Sequence, residues 1–572
     1  MIKHTVLATA VAASLSACSL SANAKQPKSI TLTPLGTFET GKFDEGAAEI
    51  VAYDAAGQRL FVINAAASTV DVLNISDPTT PTLSNFIDVA PDIANAFSGS
   101  ESGGVNSVAV HEGLVAIAVE NADKQAKGWA AFYDTEGRFL GAVEAGALPD
   151  AITFTPNGRY ALVANEGEPS GDYQNDPEGS ITVIDLRRGA PGVAAHATFG
   201  KFNGIAIDPD IRITGPNATI AQDLEPEYIA TSHDSSTAWV TLQENNALAV
   251  VDIKNAEVTE LVALGRKDHS LPGNGLDASD RDGTINIANW PVHGVHMPDS
   301  IASFRVKGKT YLVTANEGDA REYFFDVEPT DTQTAGEVCE SLGGLDYDED
   351  DGCLSWIDEE RIKDLVLDAT AFPNADDLQT DDAIGRLAAV ITEGDTDGDG
   401  DYDELHVFGG RSISIWDAAG ALVADTGDTM EQVTATELNF CSLDEPLEDC
   451  HGFNSTNDEN DSFDSRSDAK GPEPEGVVVG KVRGVEYAFV GLERVGGVMV
   501  FDVSDPADPT YVSYFNNRDF DPGIDVADGG YYGDLGPEGL VFIKPEDSPN
   551  GEALLVVGAE ISGSTTILQI SD

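Results

Sequence analysis

Positive charge is what this sequence has least of: 32 Lys and Arg stand against 99 Asp and Glu, a net charge of −67 over 572 residues. Such a chain repels nucleic acid and anionic membrane surfaces over most of its area, so neither is an expected partner, whereas cations are. Acidity also serves solubility alone, and that plainer reading covers part of the excess without explaining where the charges fall. Cysteine is nearly as scarce, at five residues. No CxxC pair occurs, which argues against a thiolate metal site. No G-x-S-x-G elbow and no complete G-x-x-x-x-G-K-[ST] loop occurs either, so a serine hydrolase and a P-loop nucleotide site are both disfavoured. Beyond residue 24 no apolar run is long enough for a transmembrane helix, and sustained helical periodicity is scarce.

What is present begins with an export signal over residues 1–24. Lys3 and His4 precede the run TVLATAVAASLSA, too short to span a membrane as a mature helix. LSAC, ending at Cys18, resembles a lipobox, while ANA at 22–24 fits ordinary cleavage; lipidation of Cys18 is the preferred reading. The mature chain is then expected in the periplasm, on the outer membrane as a lipoprotein, or outside the cell, with membrane contact only through that lipid. Four cysteines remain, an even number in an exported chain. Loop closure favours Cys339 with Cys353 and Cys441 with Cys450 among three connectivities.

From residue 28 to 572, short runs rich in Val, Ile, Thr and aromatics alternate with Gly, Asn, Asp and Pro turns. A first strand recurs seven times, as AEIVAYD, VNSVAVH, PDAITFT, PEYIATS, PDSIASF, PEGVVVG and PEGLVFI. A second apolar strand follows each copy, among them YALVANEG and YLVTANEG, and a third follows that. Such units of three or four strands predict an all-β, seven-bladed β-propeller with disulfide-bearing insertions at 324–392 and 435–470. The early run SITLTPLGTF has no blade of its own and is expected to add to the last one.

First strands line the channel of a propeller, so equivalent positions ring its axis. Here they read Glu49, Asn106, Asp150, Glu227, Asp299, Glu475 and Glu538. Second-strand ends add Asn64, Glu120, Asn165 with Glu166, Glu244, Asn316 with Glu317, Glu493 and Glu560. Converging carboxylates repel unless protons or cations compensate, and oxygen-only donors suit Ca²⁺ or another hard divalent cation. Glu227, Asp299, Glu317, Glu475 and Glu538 are the expected metal ligands at the channel mouth; the alternative is a wide wet channel with solvated acids.

A second acidic feature is EGDTDGDGDYDELHVFGG, residues 393–410. Asp395, Asp397 and Asp399 before Gly400 match the opening of a twelve-residue Ca²⁺ loop. His406 stands where that loop ends in glutamate, so Asp401, Asp403 or Glu404 is expected to complete the shell. A merely solvated acidic turn is the other reading. The insertion before it carries the helix-like DDAIGRLAAVIT. HGVH, residues 293–296, offers two nitrogens, but no third ligand stands nearby in sequence. Arg321, Arg411 and Arg494 each fall just beyond a second strand or before a third. Beside metal-loaded carboxylates they would clamp a phosphate, and pairing with neighbouring Glu is the duller alternative.

The segments NEGDAREY, GDTDGDGDYDEL, FGGRSISIWDA, KGPEPEGVVVG, VGGVMVFDVSDP and NNRDFD resemble the choice-of-anchor I family, across essentially the whole mature chain. The resemblance implies an exported or surface propeller related to the mesenchyme-specific cell-surface glycoproteins of biomineralising animals. It also implies the alkaline-phosphatase activity with which members are labelled. Two expectations follow: a Ca²⁺-dependent hydrolase of a small phosphorylated substrate, or a non-catalytic, calcium-stabilised cell-surface propeller for adhesion, scaffolding or mineral binding, with a cell-surface ligand as partner.

Overall fold

The computed structural model describes residues 29–330, 332–349, 351–440, 446–447 and 451–572. Cys18, both cleavage readings, and the pair Cys441 and Cys450 lie outside the described residues. Among the described residues, seven four-stranded antiparallel sheets carry the fold. Their first strands are Val51–Asp54, Ser102–His111, Pro149–Phe154, Pro226–Thr231, Ile301–Val306, Pro474–Val482 and Pro537–Ile543. Each neighbours the next, and the last neighbours the first, so the ring closes as a β-propeller. The closure is made by Thr31–Glu39, which pairs antiparallel with Ser564–Ser571 in the sheet that holds the other C-terminal strands.

Burial explains the strand sequences. Each second strand lies between the faces of neighbouring blades and is buried on both sides, so Tyr160–Asn165 and Leu554–Ala559 are apolar almost throughout. The outermost strands, such as Thr82–Asp88 and Val193–Thr198, are largely exposed and of mixed composition, with weak sequence signals. Core clusters form between blades rather than within them: Leu162 and Val183 of the third blade pack with Val240 and Ala249 of the fourth.

Blade five is interrupted between Lys309–Asn316 and Ser412–Asp417. The interruption builds a three-stranded sheet, whose strand Gly352–Ile357 bears the disulfide Cys339–Cys353, and part of a five-stranded sheet. That second sheet runs in the order Arg266–Asp268, His293–Val295, His406–Phe408, Ala388–Val390, Glu359–Arg361. Two of its strands precede blade five, so residues 265–298 form an insertion that the repeat pattern concealed. DDAIGRLAAVIT is not a helix: residues 381–386 are turns and Ala388–Val390 is a buried strand. A short apolar run buried on both faces carries no periodicity that separates helix from strand.

In four blades the acidic residue of the first strand occupies a β-bulge. Register shifts between Pro149 and Ile152, Pro226 and Ile229, Pro474 and Val477, and Pro537 and Leu540 set two residues against one on the partner strand. Asp150, Glu227, Glu475 and Glu538 are each the first of those two residues. A bulge re-aims side chains, here toward the axis. The residue after Glu475 is Gly476, where a Cβ would lie 2.0 Å from the carbonyl oxygen of Glu538 on the next inner strand. Gly476→Ala is therefore expected to force the two strands apart and destabilise the protein by about 1–3 kcal/mol, read as a lowered denaturant midpoint.

Candidate functional site

The doubled ANEG segments show how the site is built. Asn165 ends a second strand and donates to Ser180 O at 2.9 Å and Thr182 Oγ1 at 3.0 Å of the third strand. Asn316 does the same in blade five, donating to Ser414 Oγ at 2.8 Å and Ser412 Oγ at 3.2 Å. Both asparagines are fully buried and tie strands together, so they are not part of a ligand tier. The glycines that follow, Gly167 and Gly318, take φ of 73° and 88°, where a side chain is strained and where a Cβ would strike backbone atoms. This turn places two acids per motif in one space: Glu166 with Glu168, and Glu317 with Asp319.

That space is a polar basin of about 480 Å³ on the channel axis. Eleven carboxylates line it. Asp150, Glu227 and Glu475 come from first strands and Asp299 from just before one; Glu166, Glu168, Glu244, Glu317, Asp319, Glu493 and Glu560 come from or just beyond second strands. Glu538 lines the adjoining inner cavity, which shares Asp150 and Asp299 with the basin. Four of the five expected mouth ligands, Glu227, Asp299, Glu317 and Glu475, thus line the basin, and Glu538 lines the cavity beside it. Asn64 and Glu120 do not reach it: Asn64 bonds Asp71, and Glu120 accepts from Gly104 N at 2.7 Å.

Electrostatically the basin is under-compensated. Burial, followed by repulsion from neighbouring carboxylates, pushes Glu227, Asp299, Glu475 and Glu538 well above the usual carboxylate range. Burial raises Asp150 to about 7 and Glu244 to about 7, and burial with Glu560 and Asp150 nearby raises Glu49 to about 8. One oxygen on each of Glu227, Glu244, Glu475 and Glu538 is buried with no hydrogen-bond partner. Such groups normally find a donor or an ion.

Among the described residues two basic side chains line the basin, Lys470 and Arg494. Lys470 reaches Glu317 at 3.0 Å, Glu473 at 3.2 Å and Asp319 at 3.3 Å. Arg494 reaches Glu493 at 3.1 Å and Glu473 at 3.3 Å. Burial would raise Glu473, but Lys470, Arg466 and Arg494 outweigh it and hold the carboxyl down at about 2. Of the three arginines expected to clamp phosphate, only Arg494 is at the mouth. Arg321 is buried against Asp223 at 2.7 Å and Glu225 at 2.9 Å, and Arg411 against Glu431 at 2.5 Å and the carbonyls of Asp277, Ser467 and Ala469. Both tie inserted segments to the ring through their two terminal nitrogens, while Nε of Arg321 is buried without a partner.

The acidic loop divides its carboxylates. Asp395, Asp397 and Asp399 gather at one point, with ligand atoms within 4.8 Å of each other. Asp401 and Asp403 gather separately with Asp368, and Glu404 turns to His406 and His293. The six residues therefore do not form one shell. The histidines of HGVH also part: His296 is buried edge-on to Trp416 with ring centroids 5.5 Å apart, while His293 stands beside His406.

Sequence reasoning missed Glu168, Asp319 and Lys470. The first two had a signal, since both motifs continue the glycine with an acid, ANEGE and ANEGD. Lys470 had none, because an insertion carries it to the mouth from outside the strand pattern.

Comparison with known proteins adds relatives. The chain is 28% identical over 370 residues to the mesenchyme-specific cell surface glycoprotein of Strongylocentrotus purpuratus, covering 62% of this chain and 45% of that protein. It is 28% identical over 200 residues to Gigasin-3a of Magallana gigas, covering 34% of this chain and 66% of that one. The chain thus spans about half to two thirds of the length of these relatives. Among solved structures it is similar to Kuenenia stuttgartiensis hydrazine synthase (12% identity, TM-score 0.42, 92% of this chain and 97% of that one). It is also similar to the β-propeller domain of Myceliophteria thermophila Cps50 (8%, 0.40, 95% and 100%). These last two likenesses are too distant to bear on function. The model of the choice-of-anchor I domain matches residues 49–506, and the chain belongs to that family.

Proposed function

We propose that this is an exported surface β-propeller whose axial basin holds hard divalent cations, Ca²⁺ foremost. The observation that carries the reading is the set of buried, unpartnered oxygens on Glu227, Glu244, Glu475 and Glu538 within a space lined by acids. Oxygen donors of this number and charge match the coordination of calcium, and among the described residues no histidine or cysteine lines the basin. Export and surface placement rest on the family and on a relative described as a cell surface glycoprotein. The acidic loop is a second, peripheral calcium region in this reading, with Asp395, Asp397 and Asp399 as its donors. Calorimetric titration of the chelated protein with Ca²⁺ tests it: uptake that weakens in Glu227→Gln and Glu475→Gln is expected, and no uptake would sink the idea.

Phosphoester hydrolysis is the second reading, and Lys470 with Arg494 at the basin favours it. A bound cation would supply Lewis acidity and an activated water. Lys470 and Arg494 would orient a phosphate at the rim by charge-assisted hydrogen bonds, while Gln243, which donates to Glu317 at 2.9 Å, steadies a basin carboxylate. A chromogenic phosphomonoester at alkaline pH checks this. Turnover that vanishes on chelation, returns with Ca²⁺ and falls about tenfold or more in Lys470→Met is the expected result. Calcium that stabilises the protein without restoring turnover would leave a non-catalytic binding propeller.

A further inference from the structure

We propose that His293, His406 and Glu404 form a second metal site, separate from the channel, for a borderline cation such as Zn²⁺. None of the three lines the acidic basin. Parallel pairing of His293–Val295 with His406–Phe408 sets His293 directly beside His406, and their rings meet edge to face with centroids 6.0 Å apart. One donor atom from each of His293, His406 and Glu404 lies within 4.8 Å of the other two.

The surroundings of His406 are those of a ligand. Its Nδ1 lies 3.0 Å from Glu393 Oε2, and its Nε2 lies 3.2 Å from Glu404 Oε2. Glu393 is itself fixed by Arg212 at 2.9 Å and Arg266 at 2.5 Å, so it stays an acceptor and holds the proton of His406 on Nδ1. A carboxylate behind a histidine in this way orients the ring and raises its basicity toward a metal. The Nε2 lone pair then faces the Glu404 carboxylate, an arrangement that repels unless a proton or a cation lies between. A proton would answer His406 and Glu404 alone. A cation answers His293 as well, whose Nδ1 is buried without a partner. Two imidazoles and one carboxylate suit Zn²⁺ and leave a position open, whereas calcium takes oxygen donors. The Glu404 side chain, 52% exposed, leaves the site reachable from solvent.

The test uses the full chain, stripped by chelator and then saturated with Ca²⁺ so that oxygen sites are filled. Zn²⁺ is titrated calorimetrically, and Co²⁺ is read by the visible absorption of a four-coordinate ion. One Zn²⁺ per chain is expected, weakened roughly tenfold or more in His293→Gln and in Glu404→Gln, about 10- to 100-fold in Glu393→Gln, and unchanged in Asp397→Asn. Glu404 is half exposed, so its variant reports on the metal without disturbing the fold. No Zn²⁺ uptake in the presence of Ca²⁺, or uptake indifferent to both the His293 and Glu404 variants, overturns the proposal. So does a nitrogen-15 spectrum in which His406 keeps protons on both ring nitrogens with Zn²⁺ present. Because Ca²⁺ is saturating throughout, failure here and failure of the channel reading remain distinguishable.

Discussion

Removing divalent cations at about pH 8 is expected to lower the melting temperature by roughly 5 °C or more, while the same treatment at about pH 5 changes it little. The reason is the charge state of the channel. Glu49 and Glu244 rise from 4.5 to about 8 and about 7, and Asp150 from 3.8 to about 7. A carboxyl raised in the folded state keeps a proton that the unfolded chain has already released. The stability linked to that proton is fully present below about pH 4 and is lost as pH rises through about 7 to 8. One unit corresponds to about 1.4 kcal/mol, so a few such groups amount to several kcal/mol in the metal-free protein. Calcium competes with those protons and restores the loss, so its affinity rises with pH. Glu475→Gln is expected to act in opposite directions: it raises the melting temperature of the chelated protein at about pH 8 and weakens Ca²⁺ binding. Differential scanning calorimetry at the two pH values, with and without Ca²⁺, measures both. A metal-free protein equally stable at both values would remove the electrostatic basis of the proposed site.

Arg321→Met is expected to cost about 3–5 kcal/mol, independently of Ca²⁺ and phosphate. The side chain is buried and donates to Asp223, Glu225 and Thr214 Oγ1, and Asp223 also accepts from the backbone of Thr214 and Gly215. Removing the guanidinium strands two buried carboxylates, and that stranding, more than the lost attraction, sets the magnitude. The backbone N–H of Arg321 donates to Asp358 Oδ1 at 2.9 Å, and Asp358 also accepts from Arg212 at 2.6 Å. Arg321 thus lies where the blade-five insertion joins the ring. Denaturant unfolding with and without phosphate checks the prediction: a wild-type midpoint raised by phosphate and a variant midpoint insensitive to it would return Arg321 to the role of anion ligand.

Much of the fold was legible in the sequence, and for physical reasons. Period-two strands buried between blades must be written in apolar residues, and the units recur because each faces the same surroundings. Asp150, Glu227, Glu475 and Glu538 were legible for the same reason, since a repeat places equivalent residues at equivalent radii. Glu168 and Asp319 were within reach of the same logic through the doubled motif. The strand Ala388–Val390 was not, because a short run buried on both faces carries no period.

The sequence by itself determined the repeat, the closing strand, the acidity of the axis and the family. It did not determine which charges answer which. Arg321, Arg411 and Arg494 occupy similar places in the repeat, yet two are locked in buried pairs and one stands at the basin, because segments outside the blade strands supply Asp223, Glu431 and Asn457 as their partners. Lys470 arrives at Glu317 from 153 residues away, and His293 meets His406 across a sheet built from two separate insertions. Pairing of charges depends on a few ångströms in space, and outside the repeat only the tertiary structure fixes those distances.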